Sequence, residues 1–273
     1  LAEAYEAEYG GRTATLKNDI LKHFSIYYHQ SMFRMDLPEL NPAETEALSE
    51  QLVDDFYFLD KIKLTYQRLF PHSNIKNINP YTIKKLGFMV YTDYAIRNTY
   101  LSASDYFRFI LTHQDIVNLN ENSSKITQLI TFTSQLYKLK ANYEIIEFLP
   151  LQFVHIRRLM QRNINEGQFR AYCDAVDRFA YPGEYFTIAS LRDRGFEHEL
   201  DHLGFDEWFY SSILAEDKTR FSLRRVTKSN RIFCKGTCEV YLKDLIRQVV
   251  ADQNSIDIYE LREILIETYN IST

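Results

Sequence analysis

The stretch Tyr185–Lys235, YFTIASLRDRGFEHELDHLGFDEWFYSSILAEDKTRFSLRRVTKSNRIFCK, decides how this chain is read. Tyr185–Arg194 and Glu207–Glu216 repeat their apolar residues at helical spacing, so each is expected to be a short helix. Gly195 closes the first, and Asp206 stands where it can cap the second. In the second, Phe209/Ile213 and Tyr210/Leu214 form i,i+4 apolar pairs. From Thr219 the period shortens and β-branched and aromatic residues mix with arginine. Thr227-Lys228-Ser229-Asn230 supplies a turn, so a β-hairpin is expected over 219–235. With the polar segment between the helices read as a turn or a further short helix, the order is helix, helix, helix, hairpin.

That polar segment contains HELDH, His198 to His202, a formal match to H-E-x-x-H. On an α-helix this spacing puts two imidazoles on one face beside a glutamate that can polarise a metal-bound water. The surroundings argue otherwise. Asp201 fills a normally uncharged position, Glu197, Asp206 and Glu207 crowd the motif, and Gly204 would end the helix at its second histidine. The downstream carboxylates Glu216, Asp217 and Glu239 lie on no helix with an active-site signature. The segment reads as a solvated turn or short helix; His198 and His202 remain the only metal candidates, and no cofactor is expected.

The hairpin carries the charge signal. Lys218–Lys235 holds seven cations and no acid, +7 in a chain of net −5, which leaves −12 for the rest. Arg220, Arg224, Arg225, Lys228, Arg231 and Lys235 are the candidate nucleic-acid contacts, since clustered cations can neutralise phosphates. The helix before them is flanked by Asp206, Glu207, Glu216 and Asp217, so contact is expected from the hairpin rather than from that helix.

Outside this region the chain reads as helical. Thr13–Tyr28, Asn41 to about Phe70, Ser123–Tyr143, Leu151–Met160, Gln168–Phe179, Val240–Asp252 and Asp257–Tyr269 all show the period, with Asn41-Pro42 as a cap and first turn. Asn74–Pro80 is a polar break. A weak repeat relates Tyr81-Thr82-Ile83 to Phe186-Thr187-Ile188, and Asp105–Asp115 to Glu207–Asp217. The expected fold is mainly α with a small β-hairpin, multi-helical, with tandem winged-helix-like units. It divides into an N-terminal helical region (1–79), a helix-turn-helix-like unit (80–148) and a helical region (149–273) that contains a winged-helix-like unit at 184–236.

Only 8 Gly and 6 Pro among 273 residues suit long helices and short connections. Cys173, Cys234 and Cys238 cannot build a disulfide framework, and C-K-G-T-C matches no zinc spacing, so ordinary cysteines in a reducing, cytoplasmic compartment are expected. No run approaches the length of a membrane span. No phosphate-binding or nucleophile-elbow motif occurs, and no catalysis is expected.

The run FTIASLRDRGF, LGFDEWFYSSIL, RFSLRR, RIF resembles the winged-helix units of bacterial sigma-factor-like helix-turn-helix DNA-binding proteins, and its tail resembles the HARE-type winged helix. The resemblance covers residues 184–236, with a weaker copy at Tyr81–Asp115. It implies binding to DNA or to a transcription complex, with the hairpin as the wing. The alternatives are a helical scaffold for protein partners without nucleic-acid binding and, last, a zinc-dependent hydrolase at HELDH.

Overall fold

The computed structural model describes residues 27–29, 32–33, 37–119, 125–226, 230–253 and 255–271. The chain forms two compact units, Leu1–Tyr106 and Phe107–Thr273. The expected helix at Thr13–Tyr28 lies outside the described residues apart from its last two. Of these, Tyr28 begins a short strand pair, β1 (Tyr28–His29) with β2 (Met32–Phe33).

In the first unit, Asn41 starts α1 (Pro42–Gln51) with a reciprocal capping box: its side chain accepts from the Glu44 N–H, and Glu44 accepts from the Asn41 N–H. The long helix expected from here to Phe70 is interrupted. Phe56–Phe58 is a strand, β3, and α2 (Leu59–Leu69) follows it. A run of three aromatics fits a pleated, half-buried strand better than a helical turn, so local β preference wins over the apolar period. Asn79 and Pro80 then cap and open α3 (Pro80–Lys85), and Gly87, at φ +86°, turns the chain into the hairpin β4 (Phe88–Val90) and β5 (Tyr94–Arg97). The strands pair antiparallel in the order β3-β5-β4. Leu48, Tyr57, Ile62, Tyr66, Ile83 and Phe88 close the core, so the Asn74–Pro80 break lies within this unit.

The same plan recurs twice, the second module having only a 3-10 helix (Ile126–Gln128) where the others have a second α-helix. The helix α4 (Ala103–Thr112) leads to β6 (Ile116–Asn118), α5 (Ile130–Ala141) and the hairpin β7 (Ile145–Leu149) and β8 (Gln152–His155). Their sheet has the order β6-β8-β7. After α6 (Ile156–Met160) come α7 (Glu166–Phe179), β9 (Tyr185–Phe186), α8 (Ile188–Asp193), a 3-10 helix (Glu199–Leu203), α9 (Glu207–Leu214) and the hairpin β10 (Phe221–Arg225) and β11 (Arg231–Lys235), in a sheet ordered β10-β11-β9. In each module the first strand joins two helices and the last strand lies in the middle of the sheet. The helices α10 (Leu242–Gln253) and α11 (Ile258–Glu267) close the chain, Asp257 capping the latter.

The expected fold class is therefore corrected. Among the described residues the fold is mixed α/β, with three three-stranded antiparallel sheets besides the β1–β2 pair, rather than mainly α with a single hairpin. Two expected helices proved to begin as strands: Leu151–Met160 holds β8 before α6, and Tyr185–Arg194 holds β9 before α8. Each of these strands is only two to four residues long, too short to set a period of its own beside a helix that follows at once. The repeat is also offset from the expected one, which matched a third helix (Tyr81–Ile83 in α3) to a first strand (Phe186 in β9).

In the second unit, the second and third modules share one core. Phe169, Tyr172, Phe209 and Ile213 pack in a cluster with Tyr143, Ile146 and Val154. The other face of the third sheet is covered separately: Ile232 and Cys234 pack with Leu245 of α10 and Leu265 of α11. No helix among the described residues is long and apolar enough to cross a membrane.

Candidate nucleic-acid interface

Burial divides the hairpin between its strands. On β11, Arg231, Ile232, Phe233 and Cys234 are all buried, whereas on β10 only Phe221 is buried and Leu223, Arg224 and Arg225 are exposed. This follows from position in the sheet. The strand β11 lies between β9 and β10 with helices on both faces, while β10 is an edge.

The six candidate cations are separated accordingly. Arg231 is 8% exposed; it donates to the Ser211 and Ser212 hydroxyls at 3.1 and 2.8 Å and to the Glu147 carboxylate of β7 at 3.0 Å. Its guanidinium carbon sits 3.9 Å from the Trp208 ring centroid. Burial pushes its pKa down, and the facing Glu147 charge opposes that shift. Arg220 is tied to Asp217 and, at 2.6 Å, to Asp174; hydrogen bonding to Asp217 holds its pKa above the usual range. Lys235 donates to the Ala180 carbonyl at 3.0 Å and pairs with Asp177 at 3.3 Å. Arg220, Arg231 and Lys235 thus serve the fold. Arg224 and Arg225 remain on the surface, Arg224 4.9 Å from the Tyr241 ring and Arg225 5.0 Å from that of Trp208. Lys228 lies outside the described residues. Lys218, which precedes β10, is also exposed.

The Arg231–Glu147 pair is part of a network that sequence reading missed. Lys140 of α5 reaches Glu147 at 3.3 Å and Glu216 at 3.7 Å, so two cations balance two carboxylates between the second and third modules. Nothing in the residues around Glu147, IIEFL, marks a carboxylate that will be buried against another module.

The HELDH residues are used locally. His198 has extended backbone and caps the 3-10 helix, its Nδ1 accepting from the Leu200 N–H at 3.1 Å while Asp201 accepts from the His198 N–H at 2.8 Å. Burial pushes the His198 pKa down, which keeps that nitrogen an acceptor. Asp201 also pairs with Arg192, and Gly204, at φ +70°, ends the helix. In a helix of three residues per turn, positions four apart do not share a face. His198 and His202 are therefore not presented together as the motif requires. Among the described residues, no group of three or more His, Cys, Asp or Glu is placed to hold a metal ion.

The cysteine expectation is corrected as well: Cys234 and Cys238 are joined in a disulfide across the turn after β11, and Cys173 alone is free and buried. Burial pushes the Cys173 thiol up to about 12, the state of an inert core thiol. No family model and no curated protein matches this chain.

Proposed function

We propose that this chain binds nucleic acid without catalysing a reaction on it, and that the outer strand of its third-module hairpin contacts the phosphates. The observation that carries this reading is the burial split across the hairpin, which turns Arg224 and Arg225 outward on an acid-free edge strand, with Lys218 just before it. Module topology supports it: helix, strand, helix, helix, hairpin, with the last strand central, is the order of a winged helix, and β10–β11 stands at the wing. The helix before this hairpin is excluded from any groove, because every residue from Trp208 to Leu214 is buried. Contacts confined to a basic strand hold a duplex by charge and carry little base information. Fluorescence anisotropy with a labelled duplex tests this. Arg224→Glu with Arg225→Glu is expected to remove binding at low salt, and binding equal to that of the unaltered protein overturns the reading.

A protein partner is the second reading, favoured by the C-terminal helix pair. On α11, Ile258 and Tyr259 are exposed beside a largely apolar groove of about 430 Å³ that Leu261, Leu265 and Ile271 help to line. Pull-down of protein without nucleic acid, lost on Tyr259→Glu, would favour it over the first.

A further inference from the structure

Each of the three modules places a helix immediately before its hairpin, and the three are unequal in what they leave exposed. In α3, Tyr81, Thr82 and Ile83 are buried, and Lys85 is held 3.0 Å from Glu39 and 4.4 Å from the Tyr81 ring centroid. In α9, seven consecutive residues are buried. In α5 the pattern is different. Phe132 and Leu139 are buried, and Ile130, Ser134, Tyr137, Lys138 and Ala141 are exposed, spaced as one face of a helix. Ile130 is 87% exposed and Tyr137 59%. Among the described residues, packing does not account for an apolar residue and a tyrosine held this far into solvent on a helix.

The charge of this face is one-sided. The sequence of α5, ITFTSQLYKLKA, has no acid and two lysines. Glu147 and Glu216, the latter lining the neighbouring groove, are both engaged by Lys140, and Glu144, just past the end of the helix, is paired with Arg108. Beside it runs a groove of about 510 Å³ that Tyr137 and Lys140 line from α5 and Lys218, Ser222 and Leu223 line from the β10 side. Lys218 Nζ stands 5.9 Å from the Tyr137 ring centroid. The exposed face of α5 and the basic edge strand are therefore two walls of one surface. A helix of 12 residues is about 18 Å long, and a major groove about 12 Å wide admits one.

We infer that α5 is the element that reads duplex DNA, with Ser134, Tyr137 and Lys138 at the base edges while Lys218, Arg224 and Arg225 hold the flanking phosphates. This rests on the nucleic-acid reading above and assigns sequence discrimination to a module other than the one that carries the basic hairpin. Serine, tyrosine and lysine supply the donors, acceptors and apolar contact that distinguish base pairs in the major groove, where a good bidentate pair is worth about a five- to 150-fold preference.

The test uses the full chain and two probes: a random-sequence duplex pool, and the duplex enriched from that pool by repeated capture on the unaltered protein. The expected result is that Ser134→Ala/Tyr137→Ala/Lys138→Ala loses the preference for the enriched duplex by about tenfold or more, yet keeps its affinity for the random pool within a few-fold. Arg224→Glu/Arg225→Glu loses both. The five side chains are exposed, and unchanged far-ultraviolet circular dichroism will verify that the variants fold. If the α5 variant keeps the full preference, or if capture enriches no sequence although the pool is bound, the assignment of α5 is overturned and the phosphate-binding reading stands. If the unaltered protein binds neither probe, the underlying reading fails.

Discussion

Arg224 and Arg231 belong to one hairpin and look alike in the sequence, yet the fold gives them opposite work. Removing Arg231 leaves Glu147 buried with Lys140 as its remaining cation, and breaking a buried pair in this way costs about 3–5 kcal/mol. Arg224→Ala, at the exposed edge, should change stability by no more than about 0.5 kcal/mol. Urea unfolding of the two variants measures the contrast; equal, small effects would contradict the geometry. Glu44 offers a pH-dependent case. Burial alone would raise its pKa, but hydrogen bonds from the Tyr66 hydroxyl at 2.7 Å, the Asn41 N–H and the Ser73 hydroxyl outweigh it and hold the value below the usual 4.5. A depressed carboxylate stabilises the folded state fully above its unfolded pKa and loses that contribution as pH falls through the folded one. Glu44→Gln should therefore be less stable than the unaltered chain at neutral pH, with the gap narrowing below about pH 4.5. A gap independent of pH in denaturant titrations would refute this.

The helices α5 and α9 occupy equivalent places in consecutive modules, and their surroundings separate them. Phe209→Ala in α9 removes a wholly buried ring and should cost about 3–5 kcal/mol, while Tyr137→Ala on the open face of α5 should cost under about 0.5 kcal/mol. Thermal or urea unfolding of both decides it. Helix ends with clear signals were legible in the sequence: the Asn41-Pro42 start, though not the length of the helix it opens, the Gln168–Phe179 stripe and the Asp257 cap stand where the residues placed them. The third-module hairpin was legible because its turn signal and its β-branched and aromatic residues lie in one stretch. The other two hairpins were not. The segments FMV, YAIR, IIEFL and QFVH are three to five residues long and sit between helices, so their apolar positions merge into the helical period. The site was legible as a set of charges and not as a surface. Counting cations finds Arg220 to Lys235, but which of them face water is decided by Asp174, Asp177 and Glu147, 84 residues away in the last case. The face of α5 carried a signal that was available: a helix with lysines, no acid and an exposed-side tyrosine.

At the scale of the molecule, one supersecondary plan occurs three times among the described residues, and its hairpins and the helices before them differ in what they leave exposed. One core joins the second and third modules, and the network of Lys140, Glu147, Glu216 and Arg231 fixes their junction. Three of the seven cations of Lys218–Lys235 are consumed, Arg231 there and Arg220 and Lys235 in pairs with aspartates. What remains outward is the edge strand β10 beside the face of α5, so binding should be electrostatic, salt-sensitive and dependent on a few named cations. The most direct measurement is the salt dependence of duplex affinity, taken as the slope of the logarithm of the binding constant against the logarithm of salt concentration. For Arg224→Ala/Arg225→Ala the slope should be shallower than that of the unaltered chain by about 1.8, the loss of two phosphate contacts. A slope unchanged by the double substitution, or an unaltered protein whose binding ignores salt, would contradict the account.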